Sequence, residues 1–373
     1  MLAMAVAMGI GRFVYTPILP MMLDAGALSA AQAGLVAGFN YLGYLIGALA
    51  AVSGRFAPRR RHWLFAALAA SAATTGAMAF ADGLVAMMAL RFASGVASAF
   101  VLIFVTTLVM ARLAAERRPR LAAVHFGGVG LGIAASAVLV SLLAAGGLNW
   151  PGTWLAAGLA ALVGLAGVVI LLPVAAAETP PPPRRPGDRA GSAPLALFIA
   201  SYGCFGFGYV ITATFINAMA RSEPALLAAE PYVWVAVGLA GMPSVWLWNL
   251  VASRVGPMTA YGLACAVEAA GVGLSVAVPS PLALIASAVL LGATFIAITA
   301  LGLARAREMA PADPAGAIAL MTASFGLGQM IGPVVAGWLF ERLGDLVAAS
   351  WLAALGLVAA ALLALLSALS ARR

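Results

Sequence analysis

Lysine is absent from this chain of 373 residues: all 20 basic residues are arginine. Acids number only 12, and charged side chains make up 9% of the sequence, against about 25% in a soluble domain. Without lysine there is no Gly-x-x-x-x-Gly-Lys-(Ser/Thr) phosphate loop, which excludes an ATP-driven pump contained in this one chain. The two histidines, His62 and His125, form no His-Glu-x-x-His pattern, so an intramembrane zinc protease has no support. Pairing Ser94 with His125 as a hydrolase fares no better, because nothing supplies the remaining roles. The two cysteines, Cys204 and Cys265, sit in apolar runs, fit neither a metal knuckle nor a disulfide framework, and read as small buried hydrophobes. The expectation is a protein with no cofactor, no metal and no enzymatic activity.

Apolar residues are abundant instead, at 64% of the chain against a usual value of about 45–50%. A water-soluble fold has too little polar surface to cover that much hydrocarbon. Soluble enzymes, nucleic-acid binders, disordered chains and disulfide scaffolds are thereby excluded, and a polytopic membrane protein in a lipid bilayer remains. Twelve apolar runs are long enough to cross a core of about 30 Å. They cover roughly Met1–Leu23, Ala33–Val52, Trp63–Ala81, Leu84–Ala111, Leu121–Ala145, Thr153–Pro173, Pro194–Ala220, Tyr232–Val251, Thr259–Pro279, Leu282–Ala304, Ile318–Phe340 and Val347–Leu369. The runs are continuously apolar, whereas barrel strands would alternate, so helices are predicted. The first run contains Arg12 and lacks a basic leader, so it reads as a span and not as a cleaved signal.

The net charge of +8 is distributed by topology. Sixteen arginines lie in alternate links: Arg55, Arg59, Arg60 and Arg61; Arg112, Arg117, Arg118 and Arg120; Arg184, Arg185 and Arg189; Arg254; Arg305 and Arg307; and the terminal Arg372 and Arg373. The other set of links holds only Arg221 and Arg342. By the positive-inside rule the first set is cytoplasmic, which places both termini in the cytoplasm of a multi-pass bacterial inner-membrane protein. A miscounted span would scramble that parity, so the charges check the hydropathy independently. They do not form a phosphate-binding face, and no nucleic-acid partner is expected.

One link differs from the rest. The segment TPPPPRRPGDRAGS makes 174–193 a proline- and arginine-rich linker between an N-terminal six-helix half, 1–173, and a C-terminal six-helix half, 194–373. Gly130-Leu-Gly132 in the fifth run matches Gly326-Leu-Gly328 in the eleventh, and Gly95 in the fourth matches Gly292 in the tenth, which points to duplicated halves.

With these features the chain resembles the major facilitator superfamily. The superfamily's loop motif after the second span is degenerate here: Gly47, Gly54 and Arg55 are in register, but Ala51 and Val52 replace the Asp-Arg pair and Phe56 ends it. After the eighth run, Arg254 and Gly256 remain while Ser253 stands where Asp would be. Arg91-Phe-Ala-Ser-Gly95 resembles the buried Arg-x-x-x-Gly motif of the fourth span. GIGRFVYTPILPMM (Gly9–Met22) and AGLVAGFNYLGYLIGA (Ala33–Ala48) resemble the YbfB/YjiJ-type group. The resemblance implies an all-α fold of twelve transmembrane helices in two six-helix halves, a central cavity lined by spans 1, 4, 7 and 10, and alternating-access transport.

Polar residues inside apolar runs mark where such work is done, since a charge at a helix centre costs roughly 2.5–3.5 kcal/mol on insertion scales. Arg12, Tyr15 and Thr16 share one face at helical spacing. Arg12 and Arg91 suit a carboxylate or phosphate, or equally a structural role on backbone carbonyls. Asn40, Tyr41 and Tyr44 in the second run, Tyr202, Tyr209 and Thr212 in the seventh, Trp246, Trp248 and Asn249 in the eighth and Gln329 in the eleventh complete the candidate cavity, with helix–helix contact as the alternative for each. Glu268 and His125 are the candidate proton carriers. Gly34, Gly38, Gly43 and Gly47 in the second run, Gly127, Gly128, Gly130 and Gly132 in the fifth, and Gly326, Gly328, Gly332 and Gly337 in the eleventh permit close helix approach. Gly332-Pro333 resembles a motif of superfamily exporters, although the fifth run lacks its proline. Pro17 and Pro20 are expected to bend the end of span 1. The expected function is proton-linked export, as an antiporter, of a small organic and anionic solute by a monomer. An uptake permease of the same fold and a non-transporting sensor or channel are the alternatives.

Overall fold

The computed structural model describes residues 1–51, 54–172 and 192–371. Val52, the linker but for its last two residues (with Arg184, Arg185 and Arg189), and Arg372 and Arg373 lie outside the described residues. Twelve long apolar helices are present: α1 Leu2–Asp24, α2 Ala30–Ala51, α3 Arg60–Phe80, α4 Gly83–Ala115, α5 Ala122–Ala145, α6 Trp150–Leu171, α7 Ala193–Ser222, α8 Leu227–Val255, α9 Pro257–Ala277, α10 Pro281–Met309, α11 Pro314–Leu343 and α12 Val347–Ser370. Each overlaps one apolar run of the sequence, and the described residues include no strand. Four helices start the same way. Asn149, Ser192, Ser280 and Asp313 each accept from an N–H three residues on, with proline in the first turn where its missing N–H costs nothing.

The first helix departs from regular geometry. Residues Ala5–Arg12 are π-helical, and an α-helix resumes at Tyr15–Asp24. Pro17 explains the break. It has no N–H to give the carbonyl four residues back, so the Thr16 N–H turns to the Phe13 carbonyl instead. The disruption thus falls at Phe13–Val14, mid-membrane, and not at the end of the span where Pro17 and Pro20 suggested it. It also rotates Tyr15 and Thr16 away from the face that regular helical spacing assigns them.

Helices α1–α6 pack among themselves, as do α7–α12, and the halves meet chiefly along two seams, α2 against α11 and α5 against α8. Glycine makes both seams close. Gly34 and Gly38 face Pro333, Met330 and Val334 of α11, while Gly43 and Gly47, half a turn round, face Phe92 and Val96 of α4. Gly127 and Gly130 face Met242 and Gly238 of α8, while Gly128 and Gly132 face α1. Each seam helix therefore has one small-residue face for its own half and another for the opposite half. Within the first half, a Cβ on Gly95 would strike the Asn40 carbonyl and the Tyr44 N–H. Gly95→Val is expected to lower stability by about 1–3 kcal/mol. An unchanged thermal midpoint in detergent would show that α2 yields freely.

The two ends of the bundle differ. The described arginine-rich links, which hold Arg55, Arg117, Arg118 and Arg120, share one end. At the opposite end, Arg221 of α7 bridges the halves, with Nη1 2.9 Å from Asp24 of α1 and a two-pronged pair to Glu230 of α8, Nη2 to Oε1 at 2.7 Å and Nε to Oε2 at 3.0 Å. Glu341 of α11 accepts from Ser29 Oγ at 2.7 Å and from the Ala31 N–H at 2.8 Å, holding the start of α2. Ser141 of α5 reaches the Pro231 carbonyl of α8 there as well. Among the described residues, every hydrogen bond or ion pair between the halves lies at this arginine-poor end or at mid-depth. Among the described residues the halves are bolted at the arginine-poor end, and no such bond joins them at the arginine-rich end.

Candidate functional site

The break in α1 sets up the polar centre. With Pro17 lacking an N–H and Thr16 turned aside, the Arg12 carbonyl has no donor in its own helix. Arg91 of α4, 1% exposed, supplies one: Nη2 donates to the Arg12 carbonyl at 2.7 Å and Nη1 to the Gly11 carbonyl at 2.9 Å. Ser94 Oγ shares the Gly11 carbonyl at 3.1 Å. Asn40 of α2 donates to the Arg91 carbonyl at 2.8 Å, and the Tyr15 and Trp154 rings flank the guanidinium at 5.4 and 5.5 Å. Arg91 and Asn40 thereby fasten α1, α2 and α4 together.

Arg12 is placed differently. Its side chain is 3% exposed and lies under the Tyr44 ring, 3.9 Å from the centroid, with Tyr41 at 4.8 Å and Phe13 at 5.5 Å. Nη2 donates to Gln329 Oε1 of α11 at 3.0 Å, Gln329 Nε2 donates to the Tyr209 hydroxyl of α7, and Arg12 Nε has no partner. This chain of polar groups crosses from one half to the other at mid-depth. Neither Arg12 nor Arg91 belongs to any of the four ion pairs among the described residues. Two buried cations without a carboxylate thus sit where the halves meet.

Arg12, Tyr15, Thr16, Asn40, Tyr41 and Arg91 border one cavity of about 10 Å³, the room a single water needs. The Tyr15 hydroxyl is committed to the Ala33 carbonyl at 2.9 Å and the Thr16 hydroxyl to Ala213 of α7 at 2.6 Å. Tyr202 joins through stacked rings: it lies 4.9 Å from Phe325, which runs parallel to Tyr209 at 5.7 Å, and Tyr209 is in turn parallel to Phe295 at 5.8 Å. The Tyr202 hydroxyl donates to the Thr299 carbonyl. Phe13, Phe205, Phe295 and Phe325 belong to this centre, yet phenylalanine in so apolar a chain carries no sequence signal.

Other candidates fall elsewhere. Trp246 is 61% exposed on the outside of α8, with Asn249 also exposed, while Trp248 donates to the Ala293 carbonyl of α10. The buried face of α8 carries Trp234, Gly238, Gly241, Val245 and Trp248, which leaves Trp246 and Asn249 outside. Glu268 of α9 is fully buried beside Thr294 of α10, whose hydroxyl is spent on the Leu290 and Leu291 carbonyls; neither carboxyl oxygen has a partner. His125 contacts Thr106 of α4 at 3.1 Å through Nε2, and its Nδ1 has no partner. Neither residue borders the Arg12 cavity.

A family model described as uncharacterised MFS-type transporter YbfB matches residues 4–365, nearly the whole chain. The chain belongs to that family of MFS-type transporters. Two crystal structures of the nucleoside transporter NupG are similar to this transporter in fold. One superposes with a TM-score of 0.72 at 14% identity, covering 99% of this chain and 100% of that one; the other gives 0.71 at 16%, covering 100% and 98%. No curated protein matches the transporter.

Proposed function

We propose that this transporter is a secondary active carrier that exports a small organic anion in exchange for protons. Residues 1–173 and 194–373 rock as two bodies about the Arg12–Gln329 contact, with 174–193 as their connector, and the monomer is the working unit. The observation that carries this reading is Arg12: a buried guanidinium with a free Nε and no carboxylate, bonded to a neutral amide of the opposite half. An anion there satisfies the charge and touches both halves. By the positive-inside rule the arginine-rich end and both termini face the cytoplasm of a bacterial inner membrane, so the bolted end faces outward and the unbolted end admits cytoplasmic solute. Glu268 and His125, each buried with an unpartnered polar atom, are the proton-carrying residues of this reading. A second reading, a neutral nucleoside, has the fold likeness to NupG in its favour. The uncompensated positive charge favours the anion.

Liposomes containing the purified protein are expected to take up radiolabelled organic acids (acetate, succinate and benzoate) by a saturable route that a pH gradient drives uphill. Linear, pH-insensitive uptake would indicate a channel and sink the carrier mechanism. The outer bolt supplies a separate expectation. Arg221→Gln frees Asp24 and Glu230 and shifts the population towards opening at that end by roughly fivefold, the factor for about 1 kcal/mol. In a cysteine-free background with Thr214→Cys, whose site lines the Arg12 cavity, an impermeant thiol reagent should then label faster from that face.

A further inference from the structure

We propose that the Arg12 site selects a carboxylate carried on a planar aromatic body. This deepens the carrier reading above and rests on it. The Tyr44 and Tyr41 rings lie against the guanidinium of Arg12 at 3.9 and 4.8 Å, and its Nε has no partner, so its in-plane N–H edge is where a polar partner can bind. A partner in that plane with two acceptor oxygens is a carboxylate. A phosphate dianion fits less well, because the second guanidinium is spent: both terminal nitrogens of Arg91 are bonded to backbone carbonyls. Both guanidinium groups keep their charge, but only Arg12 has an N–H edge to spare once Gln329 moves, and one such edge suits one carboxylate.

The body of the ligand is set by what adjoins that edge. Gln329 holds the place the carboxylate would take, and its other amide atom is fastened to Tyr209. From Tyr209 the rings of Phe295 and Phe325 extend in near-parallel planes, 9° and 4° from it, and Tyr202 continues beyond Phe325. The Tyr202 hydroxyl is engaged by the Thr299 carbonyl, and the Tyr209 hydroxyl is engaged by Gln329 until that amide moves. These rings are buried and stacked on one another beyond the cavity, so a ligand reaches them once Gln329 has moved, and they offer it few free donors or acceptors. A polyol or sugar would bury unpaired hydroxyls against them, whereas a flat conjugated ring stacks. The cavity beside Arg12 holds only about 10 Å³, so Gln329 must swing away for the ligand to enter. Substrate therefore replaces the bond that ties the halves together.

Thermal unfolding of the detergent-purified transporter tests the assignment, with four probes: benzoate, cyclohexanecarboxylate, benzamide and uridine. Benzoate should raise the midpoint, and its apparent affinity should exceed that of cyclohexanecarboxylate by about tenfold and of benzamide by about a hundredfold. In Phe325→Leu the aromatic preference should shrink while the carboxylate preference persists. Equal affinity for benzoate and cyclohexanecarboxylate in the wild type would overturn the aromatic assignment, and a shift with uridine or benzamide but none with benzoate would overturn the carboxylate. In either event saturable flux in liposomes would leave the carrier reading standing. Saturable flux of acetate or succinate with no response to benzoate would likewise remove the substrate class alone. Absence of both binding and saturable flux would remove the two together.

Discussion

Arg91→Leu is expected to destabilise the transporter by about 3–5 kcal/mol, the range for breaking a buried, bonded charge. The detergent-solubilised variant should show a lowered thermal midpoint and poor yield. The arginine is one of the largest fully buried side chains, and its two terminal nitrogens satisfy the Gly11 and Arg12 carbonyls at 2.9 and 2.7 Å. Leucine leaves the Arg12 carbonyl without a donor in a medium that offers none, since Pro17 cannot supply one. The Gly11 carbonyl keeps Ser94. Arg91→Lys retains the charge but cannot span two carbonyls with a planar fork, so about half the loss should remain. A midpoint equal to the wild type in Arg91→Leu would mean that water enters the break in α1 and serves these carbonyls instead.

How far the sequence disclosed this arrangement depends on the kind of signal. The twelve helices were legible because a bilayer demands about twenty apolar residues in a row, and arginine parity in the links checked the count. Arg12 and Arg91 were legible as charges in oil, yet the sequence made them near-equivalent. What separates them is the π-helical segment before Pro17, which frees a carbonyl for Arg91 and turns Arg12 towards α11. That segment also voids the i+3 and i+4 spacing that grouped Tyr15 and Thr16 with Arg12: all three border one cavity, but the two hydroxyls are spent on carbonyls of α2 and α7. Gln329 stood out as an amide in a glycine-rich run, although nothing in the sequence paired it with Arg12, 317 positions away. Phe295 and Phe325 were invisible, because a ring that lines a cavity and one that faces lipid have the same hydropathy. Trp246 and Asn249 erred in the opposite direction: a polar or aromatic residue in a span does not disclose which way it points.

Arg12→Gln is expected to abolish transport while leaving the protein as stable as the wild type, or more so. The change withdraws a cation from mid-span, where insertion costs roughly 2.5–3.5 kcal/mol, against the loss of one hydrogen bond, to a neutral amide, and of the contacts with the Tyr44 and Tyr41 rings. A glutamine can make an amide–amide bond to Gln329 in its place, and no backbone group is orphaned, because Arg91 tends the carbonyls. Destabilisation and inactivation should thus part company between the two arginines. A variant at Arg91 loses midpoint first, whereas one at Arg12 loses flux with the midpoint intact. Arg12→Lys restores the charge without the planar fork or the ring-covered faces, so flux should return in part, at least about tenfold below the wild type. Measuring flux in liposomes at matched protein content, together with unfolding midpoints, separates these outcomes. Wild-type flux in Arg12→Gln would remove the guanidinium from the site and leave its midpoint gain as the sole consequence of the change. The converse pattern, lost flux with a collapsed midpoint, would make Arg12 a second brace like Arg91 and pass the substrate's charge to some other group.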